Sequence, residues 1–137
     1  MEIDYIALFV SDVARSLSFY RDVLGFRFDK SPSLDGVEGY SGSLKIGLYD
    51  HIWLPKLFGE RGSQQISGHP FLLSMTVDDL EETYQIIQKR IQERYLPQSL
   101  VNFGDADMIA PPQVMPWGQK ICFLNDPDGN ILEIVQR

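Results

Sequence analysis

The chain has 137 residues, of which 44% are hydrophobic, 23% charged and 12% aromatic. This length and composition predict an ordinary globular protein of one domain, and they exclude disordered and collagen-like chains. The single cysteine excludes an internal disulfide framework and a cluster of thiolate ligands. The net charge of −7 argues against nucleic-acid partners and anionic membrane surfaces, since both are bound through Lys and Arg.

No part of the sequence has the pattern of a membrane or export segment. The longest purely apolar run, residues 6–10, is much shorter than a membrane-spanning helix requires. Residues 1–4 contain neither a basic region nor an apolar one, so we expect no export signal. These features predict a soluble, cytoplasmic protein.

The first half of the chain reads as a strand, a helix and further strands. Residues 3–10 are rich in β-branched and aromatic side chains, which predicts a strand. Ser11 and Asp12 follow as candidate helix caps, and Gly25 marks the expected helix end. The predicted helix has one apolar stripe, formed by Val13, Leu17, Tyr20 and Leu24. Residues 26–28 and 40–49 predict strands after it.

The second half repeats this order with an offset of 67 residues. A strand within 71–80 leads to Asp79, which forms a capping-box pattern with Glu82. The apolar stripe of the second helix consists of Leu80, Tyr84, Ile87 and Ile91. Strands are predicted near 100–103, 119–124 and 131–136, with a turn at 126–129 between the last two.

The repeated order β-α-β-β-β predicts an α+β protein with two small mixed sheets, each covered by one helix. We expect a single domain over 1–137. It consists of a first module at about 1–50, a connector at 51–70 rich in Gly and Pro, and a second module at about 71–137.

Strand alternation assigns side chains to the two faces of each sheet. On the first strand it places Tyr5, Ala7 and Phe9 away from the helix. On the last strand it places Glu133 away from the helix, as a carboxylate between apolar neighbours. Cys122 lies between Ile and Phe, a pattern typical of a small buried hydrophobic residue.

Several motifs together resemble the vicinal oxygen chelate superfamily, the glyoxalase, bleomycin resistance and extradiol dioxygenase group. The motifs lie at 10–12, 16–26, 76–80, 116–118 and 126–133. The resemblance implies two βαβββ modules whose sheets curl around a cleft, and it implies a homodimer.

The resemblance also implies four inward strand positions at which metal-using members hold a divalent ion with His and Glu. In this sequence the four positions are Tyr5, Leu72, approximately Gly47, and Glu133. Because only Glu133 is an ordinary ligand for such an ion, we expect no metal and no other cofactor.

Two alternatives keep a metal site open. A slip of register in the turns before Gly47 would bring Asp50 or Glu38 nearer to that position. A shifted site would use His51, His69 and Glu133, if the connector folds back into the cleft.

The expected ligand site is an aromatic cleft with one acid, a composition typical of small-molecule pockets. Its predicted lining is Tyr5, Tyr49, Trp53, Phe103, Trp117 and Glu133. We expect Glu133 either to take up a proton or to pair with a cationic or hydroxyl group of the ligand, because an isolated buried charge is costly.

These expectations favour a metal-free protein that binds and sequesters a small organic molecule, like the drug-sequestering members of the bleomycin-resistance branch. One alternative is a metal-dependent lyase, isomerase or dioxygenase of the same superfamily with atypical ligands. Another is a metal-free enzyme in which Glu133 is a general base and Tyr5 donates a hydrogen bond to a developing oxyanion.

Overall fold

The computed structural model describes residues 1–33, 36–64, 71–94 and 109–137. The chain divides into two compact units, Met1–Ser67 and Gly68–Arg137. His69, Phe103 and the strand expected near 100–103 lie outside the described residues.

A three-stranded mixed sheet forms the first unit. Its strands are β1 (Tyr5–Val10), β2 (Gly36–Ser41) and β3 (Leu44–Asp50), in the order β1-β3-β2. β3 pairs in parallel with β1 and antiparallel with β2. Alternation is as predicted in the second half of β1, where Leu8 and Val10 are buried and Phe9 between them is half-buried. Where a strand was expected at 26–28, a single bridge pairs Arg27 with Tyr40.

The first helix differs from the prediction in its second half. It begins as α1 (Val13–Leu17) and continues as a π-helical turn, Ser18–Val23. The N–H of Leu24 donates to the carbonyl of Phe19 over 3.1 Å, five residues back. Since this bonding widens the turn, it changes which side chains face the sheet. Leu17 and Tyr20 of the predicted stripe are buried, and Leu24 is half-buried. Phe19 and Val23, which the stripe omitted, are fully buried as well, so the prediction is confirmed only in part.

Segment 51–70, expected as a connector, contains two short helices that the sequence did not predict. They are α2 (Trp53–Phe58) and α3 (Glu60–Ser63), and Gly59 with φ of 63° lies between them. Both helices belong to the first unit. As a result, Trp53 is held by a helix instead of a loop.

A four-stranded mixed sheet and one long helix form the second unit. The strands are β4 (Leu73–Val77), β5 (Gln113–Val114), β6 (Lys120–Asn125) and β7 (Ile131–Gln136), in the order β4-β7-β6-β5. α4 (Leu80–Arg94) follows β4. On α4 the predicted stripe is confirmed, with Leu80, Ile87 and Ile91 buried and Tyr84 half-buried.

Both predicted N-caps are present. The backbone N–H of Arg15 donates to Asp12 Oδ1 at 3.0 Å, and the N–H of Glu82 donates to Asp79 Oδ1 at 3.0 Å. Each carboxylate thus accepts from an N–H group that has no partner within the first helical turn. The two helices therefore both begin with an aspartate N-cap, at positions related by the 67-residue repeat.

Strand pairing confirms the internal repeat. Ala7 pairs with Gly47 on neighbouring parallel strands, and Ser74 pairs with Glu133 in the same arrangement. The offset of 67 residues relates Ala7 to Ser74. Gly47 and Glu133 consequently occupy equivalent positions in their two sheets.

The predicted hairpin turn between β6 and β7 is organised by one buried carboxylate. Asp126 accepts hydrogen bonds from the backbone N–H of Asp128 at 3.0 Å and from that of Asn130 at 2.8 Å. The Asn130 amide donates a third, at 2.9 Å. Gly129 has a φ of 85°, which a residue with a side chain adopts only at a cost.

The α+β class with two mixed sheets and helices is thus confirmed. Cys122 is fully buried, as expected, and burial raises the pKa of its thiol to about 11. Within the four described ranges, no helix combines the length and the apolar character needed to cross a lipid bilayer.

Candidate functional site

One face of the first sheet carries a hollow bordered by aromatic side chains. Ala7 belongs to its lining and pairs with Gly47 on β3, so two small residues adjoin there. Larger side chains stand around them, and α2 supplies a further wall. The resulting pocket has a volume of about 400 Å³ and is lined by Tyr5, Ala7, Phe9, Tyr49, Trp53 and Leu57. This volume lies within the range of pockets for small organic molecules.

Aromatic contacts hold the walls in place. The Phe9 ring lies 6.3 Å from that of Tyr49 and 6.2 Å from that of Phe58, the second pair edge to face. The Lys56 ammonium lies 5.0 Å from the centre of the Trp53 ring, within range of a cation–π interaction. Rings packed in this way present flat apolar surfaces at defined angles.

Gly47 lets the two tyrosine side chains meet above the sheet. A Cβ atom at position 47 would collide with the Tyr5 hydroxyl and would lie 2.5 Å from Tyr49 Cε2. Both distances are too short for non-bonded atoms. The Tyr5 and Tyr49 side chains therefore take up the space that a side chain at 47 would need.

A chain of hydrogen bonds links Tyr5, Tyr49 and Glu38 on this face of the sheet, which we call the floor of the pocket. The Tyr5 hydroxyl donates to the Tyr49 oxygen at 2.9 Å, and the Tyr49 hydroxyl donates to Glu38 Oε1 at 2.6 Å. The other carboxylate oxygen, Oε2, lies 2.6 Å from the Lys45 ammonium. Glu38 belongs to the same site because it pairs with Gly47 across β2 and β3.

These contacts shift the pKa values of the participating groups. Hydrogen bonds from Lys45 and then from Tyr49 lower the pKa of Glu38, while Glu38 raises the pKa of Lys45. Burial, followed by the hydrogen bonds with Glu38 and Tyr5, raises the pKa of Tyr49 far above that of an ordinary phenol. At neutral pH the hydrogen-bond chain thus ends in the ionised carboxylate of Glu38 and contains a neutral Tyr49.

Glu133 in the second unit is not the isolated carboxylate that the sequence suggested. It is half-buried, and its Oε1 accepts a hydrogen bond of 2.6 Å from the Ser74 hydroxyl. The reason is register, because Ser74 lies directly opposite Glu133 on β4. A serine donor offsets part of the cost of placing a carboxylate between apolar residues.

The predicted ligand-binding residues fall into three groups. Tyr5, Tyr49 and Trp53 line the pocket of the first unit. Trp117 belongs to the second unit, where its side chain is 70% exposed and its indole N–H donates to Gln119 at 3.3 Å. Glu133 also belongs to the second unit, and Phe103 lies outside the described residues.

The four positions implied by the resemblance do not fit a divalent metal ion. The Tyr5 hydroxyl is hydrogen-bonded to Tyr49, Gly47 has no side chain, and Leu72 is aliphatic and 47% exposed. Only Glu133 has a side chain that ligates such an ion in the ordinary way, and a protein site for a transition metal takes three or four ligands.

Of the alternative ligands, Glu38 and His51 already have polar partners, and His69 lies outside the described residues. Both Glu38 oxygens are engaged, by Tyr49 and by Lys45. His51 Nδ1 lies 3.3 Å from the Val10 carbonyl oxygen and 3.9 Å from an Asp50 oxygen. Among the residues that the structure describes, no group of three His, Cys, Asp or Glu side chains is close enough to hold a metal ion.

The predicted lining omitted four residues of the site, namely Ala7, Phe9, Leu57 and Glu38. Strand alternation places Ala7 and Phe9 on the same face as Tyr5. Leu57 follows Trp53 by four positions, so helical spacing would have placed both on one face of α2. Glu38 was considered only as a substitute metal ligand. Its role in the hydrogen-bond chain depends on its register opposite Gly47, which the turn-rich segment before β3 does not reveal.

The sequence and the fold of this chain are similar to those of known proteins. The chain is 25% identical to the uncharacterized protein YraH of Bacillus subtilis (strain 168), covering 98% of this chain and 97% of YraH. A glyoxalase/bleomycin resistance protein/dioxygenase family enzyme from Burkholderia phytofirmans PsJN is 21% identical in sequence. Its structure has a TM-score of 0.74, with 99% of this chain and 98% of that chain covered.

A third similar structure is TnmS3, an antibiotic binding protein from Streptomyces sp. CB03234, which is 18% identical in sequence. Its TM-score is 0.66, with 99% of this chain and 95% of that chain covered. The family model for the Glyoxalase/Bleomycin resistance protein/Dioxygenase superfamily matches residues 2–134. The chain therefore belongs to the glyoxalase/bleomycin resistance protein/dioxygenase superfamily.

Proposed function

We propose that the protein binds and sequesters a small organic molecule in the aromatic pocket of the first unit, and that it does so without a metal ion. The observation that carries this proposal is the pocket of about 400 Å³ with its lining of four aromatic rings, one leucine and one alanine. Burying a flat apolar ligand against such a lining is favourable in water.

The chemistry of the floor favours binding over turnover. Tyr5, which would have donated to a developing oxyanion, already donates its hydrogen to Tyr49. Glu38 is held by two donors, which lower its pKa and make it a weaker base. A general base works best when its pKa lies near the working pH, so a lowered carboxylate pKa is unfavourable for proton abstraction.

The fold agrees with this use but does not require it. One similar structure is that of an antibiotic binding protein and another is that of a family enzyme. The same backbone architecture thus supports both activities, and only the side chains of the site distinguish them.

The proposal is tested by calorimetric titration with 2-naphthol, a flat aromatic probe small enough for the pocket. We expect Trp53→Ala to weaken binding about tenfold, because it removes one aromatic wall. Trp117→Ala, which removes an exposed tryptophan of the second unit, is the matched control and keeps the wild-type affinity. Mass spectrometry then reads whether the probe is recovered unchanged.

Failure of 2-naphthol to bind, or equal affinity in the wild type and Trp53→Ala, contradicts the pocket. Recovery of a chemically altered probe contradicts sequestration and favours an enzyme.

The homodimer and the cytoplasmic location belong to the same proposal. Sedimentation velocity is expected to give a species with the mass of two chains, and the mass of one chain would contradict the dimer. Fractionation of cells is expected to recover the protein with the cytoplasm.

A further inference from the structure

The hydrogen atoms of the Glu38–Tyr49–Tyr5 chain have one arrangement at neutral pH. An ionised carboxylate has no hydrogen to donate, so the 2.6 Å contact with Glu38 requires the Tyr49 hydroxyl to donate. Tyr49 has only that one hydrogen. The 2.9 Å contact between the hydroxyls therefore requires Tyr5 to donate to Tyr49.

Glu38 is well placed to stay ionised and to set this order. Its Oε2 is paired with the Lys45 ammonium at 2.6 Å. The carboxylate also lines a second cavity of about 370 Å³, on whose wall lie Lys30, Ser31 and Ser33. The charge of Lys30 contributes to the same stabilisation of the carboxylate. Two ammonium groups thus favour the anion.

Tyr5 then presents only lone pairs to a ligand. Its hydrogen is engaged by Tyr49, and no hydrogen bond from another described residue reaches its oxygen. Each bond in such a chain polarises the next, so a carboxylate at one end makes the Tyr5 oxygen a better acceptor. A ligand acceptor facing this oxygen would meet electron pairs and would lose its bond to water.

We propose that the pocket selects ligands that bring a hydrogen-bond donor, a hydroxyl or N–H group on a flat apolar body, to the Tyr5 oxygen. This inference rests on the proposed function and names the ligand class of the same pocket. Trp53 carries an indole N–H on a different wall, so the selection is assigned to the tyrosine pair and not to the pocket as a whole.

The experiment compares three probes of one ring system by calorimetric competition. 2-Naphthol has the donor, 2-methylnaphthalene has a group of similar size without it, and 2-methoxynaphthalene has an acceptor only. In the wild type we expect 2-naphthol to bind about fivefold to tenfold more tightly than either of the others, which is the usual value of one net hydrogen bond.

Two substitutions test whether the preference comes from the direction of the hydrogen bonds or only from the presence of polar groups in the pocket. Tyr5→Phe removes the acceptor, so the preference for 2-naphthol is lost and the affinity for 2-methylnaphthalene is kept. Tyr49→Phe leaves the acceptor but releases the Tyr5 hydrogen. The affinity for 2-methoxynaphthalene is therefore expected to rise above that for 2-methylnaphthalene, which no simple loss of packing would produce.

Tyr40→Phe is the matched control, because Tyr40 lies on the same sheet outside the pocket lining and its ring contacts Arg27. It is expected to keep the wild-type order of affinities.

Equal affinities of the three probes in the wild type, with binding still weakened by Trp53→Ala, would overturn the donor preference and leave the pocket proposal standing. Retention of the preference in Tyr5→Phe would do the same. Absence of binding by all three probes would instead overturn the proposed function.

Discussion

A single missing side chain determines what the floor of the pocket contains. Gly47 lies in the middle of β3, between Ala7 on one side and Glu38 on the other. Glycine weakens a strand by its conformational freedom, so its presence in a paired strand points to a close approach of other atoms. Here the atoms are the Tyr5 hydroxyl and the Tyr49 ring.

Gly47→Ala is expected to destabilise the protein by about 1–3 kcal/mol, the usual cost of an added carbon in a packed site. In a Tyr5→Leu background the cost is expected to be smaller, because two of the three atoms nearest to the new Cβ belong to Tyr5. The free energy of unfolding in urea, measured for the four members of this double-mutant cycle, checks the prediction. Strict additivity of the two substitutions would contradict it.

Glu38 is expected to give the protein part of its resistance to acid. Its pKa is lower in the folded state than in an unfolded chain, so its stabilising effect is present above about pH 5 and is lost as the pH falls through the lowered value. Glu38→Gln removes this part of the pH dependence.

Urea unfolding at pH 6 and pH 3 measures the effect. The loss of stability between the two values is expected to be smaller in Glu38→Gln than in the wild type, while the exposed control Glu2→Gln behaves like the wild type. Because Glu38 is 41% exposed and solvent screens its charge, the difference is expected to be modest and to shrink at high salt. The same loss of unfolding free energy between pH 6 and pH 3 in Glu38→Gln and in the wild type would contradict this prediction.

At the scale of elements, short segments control how the strands are joined. The π-helical turn at Ser18–Val23 places Phe19 and Val23 in the core of the first unit. The turn between β6 and β7 depends on Asp126, whose side chain is almost completely buried and accepts three hydrogen bonds. A buried side chain of this kind is part of the hairpin and not a surface charge.

Asp126→Ala is expected to cost about 3 kcal/mol, because two backbone N–H groups and one amide lose their acceptor. Asn125→Ala, at the neighbouring exposed position, serves as the control and is expected to be near neutral. Thermal unfolding followed by circular dichroism compares the two variants. A similar melting temperature for both would show that the carboxylate does not organise the turn.

For the whole molecule, the two units share one plan and differ in the chemistry placed on it. In the first, the parallel strands pair Ala7 with Gly47, and at the equivalent position in the second they pair Ser74 with Glu133. Neither pair provides the set of His and Glu ligands that a divalent ion needs.

Added Mn²⁺, Ni²⁺ or Zn²⁺ is therefore expected to leave the melting temperature unchanged, and a chelator is expected to have no effect. An ion that bound the folded chain alone would raise the melting temperature with its concentration. Elemental analysis of protein purified without a polyhistidine tag completes the test. One ion per chain would contradict the prediction.

Sequence patterns predicted those parts of the fold that depend on local physics. Helical spacing identified α4 through Leu80, Ile87 and Ile91, and the two aspartate caps marked where helices begin. The offset of 67 residues was visible because strand, cap and stripe recur in one register. The π-helical turn was not visible, since its residues also satisfy an ordinary helical pattern.

The site was predicted only in part, because it depends on pairing between strands. Alternation placed Tyr5 on the correct face, and composition drew attention to Tyr49 and Trp53. The bond from Tyr49 to Glu38 joins β3 to β2, and no local pattern specifies which residues face each other across two strands. For the same reason the sequence does not reveal the partner of Glu133, since Ser74 is 59 residues away in the chain.

The equivalence of Gly47 and Glu133 has a consequence for how such a chain diverges after duplication. Backbone ladder bonds need no particular side chain, so one copy can abandon a chemical group while its strand pairing survives intact. The first half has no side chain there and accommodates two phenols, whereas the second carries an acid. A repeated architecture thereby lets the two halves carry different side-chain chemistry on the same strand pairing.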